Sequence, residues 1–193
     1  MRRRPATTLL GALAGLALAA VLGRGASEAR EPDEVLPKYV GARSCKLCHI
    51  APSTGAQHKI WQNSRHSKAY EVLATDKAKE FAKAKGIADA QKAAECLKCH
   101  VTGHGLPTER FGEKFSLEEG VSCESCHGPG EFYATKEVFE KGREEAIAKG
   151  LVIPDEKLCR TCHNEESPAY KEFHFEEFKK KIEHPKPKAE GGK

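Results

Sequence analysis

The chain has 193 residues, with 32 lysines and arginines against 28 aspartates and glutamates and a mean hydropathy of −0.59. Four of the arginines and one glutamate lie in the first 29 residues; without them the balance is 28 basic to 27 acidic, which excludes a basic surface for nucleic acid. Because only 39% of the residues are hydrophobic, a core built from protein alone would be thin for about one domain of this length.

The first 29 residues have the pattern of a signal peptide. Arg2, Arg3 and Arg4 form a basic start, residues 9–22 form an apolar run, and Ser27 and Ala29 put small residues where a signal peptidase reads. A retained anchor and peripheral membrane association are the alternative, but the run is short for a spanning helix. We expect cleavage after Ala29, a domain over residues 30–185, a disordered basic tail over 186–193, and a periplasmic or extracellular protein.

Residues 31–40 are rich in proline and charge, which predicts an extended arm. The helical periodicity that follows predicts a fold of helices joined by long loops, with no convincing strand. The predicted elements are a loop over 51–55, a helix around Trp61, helices over 67–85 and 88–99, a loop or ragged hairpin over 111–120, a helix over 131–149, a helix capped by Asp155 and a last helix over 170–183.

One pattern, Cys-x-x-Cys-His, occurs four times and contains every cysteine of the chain. It is the attachment site of a c-type haem: two thiols one helical turn apart bond to the porphyrin vinyl groups, and the adjacent imidazole binds the iron. Zinc is the alternative, because paired Cys-x-x-Cys units build four-thiolate sites, yet a histidine after every pair favours haem. We therefore predict four covalently bound haem c groups, held by Cys45, Cys48 and His49; by Cys96, Cys99 and His100; by Cys123, Cys126 and His127; and by Cys159, Cys162 and His163.

The second axial ligands must come from histidine. Met1, in the predicted signal peptide, is the only methionine, so His/Met ligation is excluded. Five further histidines are candidates, which favours mostly bis-histidine haems of low potential. Each has its own sequence context: His66 begins a predicted helix, His184 closes the last one, His104 lies between two glycines, His174 lies between two phenylalanines, and His58 lies in a loop near Gly55.

The chain resembles the tetrahaem cytochrome c-554 family of ammonia oxidation. The matching stretches are Tyr39-Val40-Gly41, residues 61–69, 96–105, Gly120-Val121-Ser122-Cys123 through Gly128-Pro129-Gly130, and residues 173–184. The resemblance implies a mostly helical fold with stacked haem pairs and an electron-transfer role, and it puts His66 and His184 at distal-ligand positions. The family has another distal histidine after Gly-Pro-Gly, but residues 131–149 contain none. Either His58, His104 or His174 replaces it, or one haem differs in ligation; the family also keeps one haem five-coordinate.

The leading functional hypothesis is an exported multihaem cytochrome that passes single electrons between redox protein partners. Haems would supply much of the apolar interior, so we expect the haem-free chain to be largely unfolded. One alternative is an enzyme that acts on a small nitrogen compound at an open haem. The other is a homo-oligomer, with subunits polymerised into an extracellular wire in which a terminal histidine such as His184 binds a neighbour's haem.

Overall fold

The computed structural model describes residues 35–167 and 170–184, all within one compact unit that begins at Val35. The predicted signal peptide, residues 31–34 of the predicted arm and the predicted tail over 186–193 lie outside the described residues. No helix within the described ranges combines the length and the apolar character that crossing a bilayer requires.

The described residues form helices and loops without a β-strand, which confirms the predicted fold class. A single parallel bridge joins Tyr39 to Phe111, so residues 111–120 contain no hairpin. Short 3₁₀ turns lie at Pro52–Thr54, His66–Lys68, Thr108–Arg110 and Leu117–Glu119. The α-helices are α1 (Ala42–His49), α2 (Gln57–Gln62), α3 (Ala69–Val72), α4 (Asp76–Ala84), α5 (Ala94–His100), α6 (Cys123–His127), α7 (Lys136–Lys141), α8 (Arg143–Ala148), α9 (Glu156–Cys159) and α10 (Phe175–Lys179).

The prediction of one continuous helix over residues 67–85 is wrong, because Thr75 divides this stretch into α3 and α4. The Thr75 hydroxyl donates to the Val72 carbonyl at 2.7 Å and accepts from the Ala78 N–H at 3.3 Å. One side chain thus ends the first helix and caps the second, as a threonine at an N-cap can do.

Three other predicted helices are shorter than expected. The helix over 88–99 begins only at Ala94, and the one over 131–149 is broken at Gly142, whose φ of 97° is not helical. The last helix covers Phe175–Lys179 rather than 170–183, so His184 lies beyond it. The predicted Asp155 cap is confirmed, because its carboxylate accepts from the Leu158 N–H at 2.9 Å.

The protein core is small. Among the described residues, one buried cluster consists of Leu73, Ala82, Ala90, Leu97 and Val101, with Tyr70, Ile87 and Cys96 packed against it. It joins α3 and α4 to α5, which carries the second motif. By contrast, Leu47 inside the first motif is 79% exposed. Protein side chains alone therefore form only a small apolar interior, and bound porphyrins would have to supply the rest.

Candidate functional site

Each Cys-x-x-Cys-His unit lies on a helical turn that holds its two thiols on one side. The first three units lie at the C-terminal end of α1, at the end of α5 and over the whole of α6. The fourth begins at the last residue of α9 and continues as a turn, in which the His163 N–H donates to the Cys159 carbonyl at 3.0 Å. All eight cysteines are free thiols, as attachment to porphyrin requires.

Three of the motif histidines direct Nδ1 toward an oxygen. His49 Nδ1 lies 3.1 Å from Gln57 Oε1, His100 Nδ1 lies 2.6 Å from the Ala69 carbonyl, and His127 Nδ1 lies 2.9 Å from the Val152 carbonyl. Because a carbonyl oxygen can only accept, Nδ1 carries the proton and Nε2 keeps its lone pair. This is the usual arrangement of a metal-bound imidazole, whose second nitrogen is fixed by an outer hydrogen bond.

Two motif histidines face a histidine from elsewhere in the chain. The ring centroids of His163 and His66 are 6.0 Å apart, and those of His127 and His184 are 5.9 Å apart. Two imidazoles on opposite faces of one metal ion, with metal–nitrogen bonds of about 2 Å, have ring centroids about 6 Å apart. Both spacings are therefore compatible with a shared iron between the two rings.

The electrostatics favour the neutral form of these four rings. Burial lowers the pKa of His66, His127 and His163, and the neighbouring His163 lowers that of His66 further. His184 is exposed like His174, but desolvation by the residues around its ring, followed by the charge of His127, lowers its pKa. Neutral imidazole is the form that binds a metal, so both pairs are prepared for ligation near neutral pH.

The four motifs come together in two pairs. The Cys123 thiol is the main neighbour that raises the pKa of Cys45, and α1 packs on α6, so the first motif meets the third. The thiols of Cys99 and Cys162 make the same contact between the second and fourth motifs, and burial and this contact raise the pKa of Cys99 to about 12. Groups attached at these thiols would lie in neighbouring pairs.

The two thiols of the first motif differ in their surroundings. Cys45 and Cys48 lie one turn apart on α1 and are both half-buried. The contact with the third motif is made by Cys45 and not by Cys48, which has no thiol partner among the hydrogen bonds of the described residues. Haem attachment at Cys48 is thus supported by the motif spacing and by its free thiol, and it stays a prediction.

Two cavities beside motif histidines test whether the fold has room for porphyrin. One of about 560 Å³ is lined by His100 and by Asn63, Ser64, Arg65, Lys68, Ala69 and Val72. The other, of about 250 Å³, is lined by Cys162 and His163 with Tyr170, Phe173, Phe178 and Arg65. The first has the volume of a typical cofactor pocket. Arg65 borders both cavities, where its guanidinium could pair with haem carboxylates.

The remaining candidate ligands differ in placement. His58 is in α2 rather than in the predicted loop, is only 7% exposed and has a buried Nδ1 without a hydrogen-bond partner. His104 is exposed, and His174 is exposed with Nε2 3.6 Å from a Glu172 carboxylate oxygen. Within the described ranges, the ring contacts of these three do not include a motif histidine. His49 instead contacts Phe139 edge-on, at 5.6 Å between centroids.

The zinc alternative requires at least three donors that converge on one point. The described residues contain no group of three or more His, Cys, Asp or Glu side chains arranged to hold a metal ion. The imidazoles of His66 and His163, and of His184 and His127, lie in pairs instead, and two imidazole ligands suit an iron whose other four ligands are porphyrin nitrogens.

Several contributing residues carry no signal in the sequence. Glu124 lies between the two cysteines of the third motif, where any residue is permitted, yet it is among the most buried side chains. Thr102 is also buried, and its hydroxyl accepts from the Ser122 N–H at 2.8 Å, which links the residues after the second motif to those before the third. Glu124 accepts hydrogen bonds from the Val40 and Gly41 amides. Because the partners of Glu124 and Thr102 are distant in the chain, helical periodicity cannot reveal these contacts.

Comparison with known proteins agrees with this geometry. The family described as "Cytochrome c554 and c-prime" matches residues 44–128, which contain the first three motifs. Cytochrome c-554 of Nitrosomonas europaea is 32% identical over 146 residues, which are 65% of this chain and 57% of that protein. The match thus spans less than two thirds of the relative's length, and no solved structure matches the chain. The motifs, the mostly helical fold and both matches thus agree that the chain is similar to the cytochrome c-554 family over the part that contains the first three motifs.

Proposed function

We propose that this chain is an exported tetrahaem c-type cytochrome that transfers single electrons between redox proteins of the periplasm or cell exterior. The bound haems supply the redox chemistry, and the protein sets their spacing, ligation and surroundings. Eight cysteines in four motifs support four haems, although the family match reaches only the first three motifs.

The observation that carries the proposal is the spacing of the two imidazole pairs. His66 with His163, and His184 with His127, have the centroid separations of about 6 Å expected for bis-histidine iron. Iron with both axial positions filled by protein has no place for a substrate, so these two sites suit electron transfer. Their histidine ligands also favour lower potentials than His/Met ligation would give.

The proximity of the four motifs supports an electron path between their haems. Thiol contacts between motifs one and three, and between motifs two and four, support two close haem pairs. Burial and the thiols of Cys159 and Cys123 raise the pKa of Cys126 to about 11, so the third motif also lies near the fourth. A continuous chain of four neighbouring sites is what a carrier between two partners requires.

The hypothesis of a wire of polymerised subunits is less well supported than electron transfer by a separate molecule. That hypothesis rested on a terminal histidine free to bind a neighbour's haem, whereas His184 lies opposite His127 of its own chain. We therefore propose that the protein acts on redox partners as a separate molecule.

The test is to produce the full chain in cells that attach c-type haem and to measure its intact mass. The proposal expects cleavage after Ala29 and the mass of four haems, together with reversible one-electron titrations at low potential. A mass corresponding to three haems, or bound zinc in their place, would refute it.

One observation favours a second candidate function at the second motif. No histidine besides His100 lines the 560 Å³ cavity at that site, so a haem there would have no second imidazole among the residues that form the cavity. An iron with an open position could bind a small nitrogen compound and transform it. Steady turnover of nitric oxide or hydroxylamine by the pure protein would establish this activity, and its absence would leave electron transfer alone.

A further inference from the structure

Glu124 is a buried carboxylate at the contact between the first and third motifs. It is 2% exposed, although it lies between Cys123 and Cys126 of a haem-attachment motif. A buried carboxylate is costly unless its oxygens are fully hydrogen-bonded, so its partners indicate why it is retained.

All of its close partners are backbone amides from two other segments. The Val40 N–H donates to Oε1 at 2.8 Å and the Gly41 N–H donates to Oε2 at 2.8 Å, both just before the first motif. The Gly130 N–H, just after the third motif, donates to Oε1 at 2.7 Å. Burial raises the pKa of Glu124, and these amides oppose that rise. Three donors directed at two oxygens are the geometry of an ionised carboxylate, because a protonated one would offer a donor of its own.

The fold is shaped around this contact. Helix α1 has no side-chain cap of its own, and the amide of its N-cap residue Gly41 is instead satisfied by Glu124. A Cβ at Gly130 would lie 3.1 Å from Glu124 Oε1 and 2.9 Å from Val40 Cγ2, so the close approach there needs glycine. Glu124 therefore fixes the position of the first motif relative to the third.

The negative charge is not neutralised by a cation. Among the ion pairs of the described residues, none involves Glu124, and its partners are neutral amides. Glu124 acts electrostatically on Cys45 and on Cys123, one attachment thiol of each motif. A fixed anion in a poorly solvated site favours the ferric over the ferrous state of a nearby haem, because the ferric centre carries one more positive charge.

We propose that Glu124 is a positioning residue that holds the first and third haem-attachment motifs at a fixed spacing and lowers the reduction potentials of the two haems bound there. This inference rests on the proposed function, since it needs haems at both motifs. The buried Glu124 carboxylate distinguishes the haem pair at motifs one and three from the pair at motifs two and four. Among the described residues, no buried anion contacts both of the latter motifs.

The test compares Glu124→Gln with Glu131→Gln in the full haem-loaded chain. Glutamine keeps the size of Glu124 but removes its charge. Glu131 is the matched control, because its Oε2 accepts from the Lys38 N–H at 2.8 Å between the same two segments of the chain, but this hydrogen bond is exposed to solvent. Potentiometric titration followed by absorption should show two of the four midpoints shifted upward in Glu124→Gln, with smaller shifts in Glu131→Gln, whose charge is screened by solvent. Midpoints unchanged in Glu124→Gln would overturn the inference, even if its melting temperature fell.

A second variant covers the case in which Glu124→Gln fails to mature. Glu124→Asp keeps the charge but draws the carboxylate back by one methylene, so it cannot reach all three amides. We expect weaker magnetic coupling between the first and third haems and a changed midpoint for one of them; wild-type coupling and midpoints would contradict the inference. The haem count of the wild-type protein separates the outcomes: fewer than four haems refutes the proposed function, whereas four haems with unshifted variants refutes only the role of Glu124.

Discussion

The two motif pairs are joined by different kinds of contact. Motifs one and three are linked through the buried Glu124 carboxylate, which binds three backbone amides. Motifs two and four meet at the Cys99 and Cys162 thiols and are linked at the surface by an ion pair between Lys98 and Glu166, whose side chains are 48% and 72% exposed. A buried carboxylate whose oxygens are fully hydrogen-bonded holds the two motifs in one geometry. An exposed ion pair is screened by water and salt, so it holds its two motifs less firmly. The comparison predicts a rigid haem pair at motifs one and three and a more compliant one at motifs two and four.

The largest effect should come from removing haem, because both pairs depend on it. The buried hydrophobic residues of the described chain are eight, and three of them are alanines. Expression without residues 1–29, in a compartment that does not attach haem, should give a chain without a cooperative thermal transition by circular dichroism. A sharp, near-native melt of that apoprotein would show that the protein core suffices.

Gly41→Ala should strongly destabilise the protein by disturbing the contact between motifs one and three. Gly41 has φ of 81°, and a Cβ there would lie 2.5 Å from the Lys114 carbonyl oxygen. We expect a loss of at least about 2 kcal/mol from backbone strain and this clash. Gly86→Ala is the matched control, because Gly86 has φ of 72° and open space around it, and it should cost only about 1 kcal/mol. Equal losses in denaturant melts would contradict the close packing at Gly41.

His184→Ala and His66→Ala should each convert one haem to a high-spin form, one in each pair. The physical reason is that each removes the imidazole opposite a motif histidine, His127 in the first case and His163 in the second. His174→Ala is the control, since His174 is exposed beside Glu172, and its absorption spectrum should match that of the wild type. A high-spin band in the control and not in the two variants would reverse the assignment.

Lys98→Ala should have the smallest effect. The Lys98–Glu166 ion pair is exposed, so its loss should leave the melting temperature nearly unchanged at moderate salt. Lys92→Ala, which removes an exposed ion pair with Asp89 away from the motifs, provides the comparison. A large loss specific to Lys98 would mean that motifs two and four are held as firmly as motifs one and three.

The sequence predicts the attachment motifs because these depend on local chemistry. Cys-x-x-Cys-His leaves few alternatives, and the lack of a second methionine leaves five histidines as candidate second ligands, among which the family resemblance favours His66 and His184. Which thiol of a motif meets another motif is not encoded locally: Cys45 does so and Cys48 does not, because the packing of α1 on α6 decides it.

Helix lengths and long-range contacts are also poorly predictable from the sequence. The hydroxyl of Thr75 and the backbone of Gly142 override the helical periodicity around them. The role of Glu124 depends on amides 83 and 84 residues away in the chain, which no local pattern encodes.

The central proposal is that the His66–His163 and His184–His127 pairs would each hold one haem iron between two imidazoles. Low-temperature electron paramagnetic resonance of the oxidised pure protein, with and without nitric oxide, tests it most directly. We expect low-spin signals from at least the haems of the third and fourth motifs, unchanged by the gas, because His184 and His66 occupy the positions opposite His127 and His163. High-spin signals from all irons, or nitric oxide binding that abolishes every low-spin signal, would contradict the account.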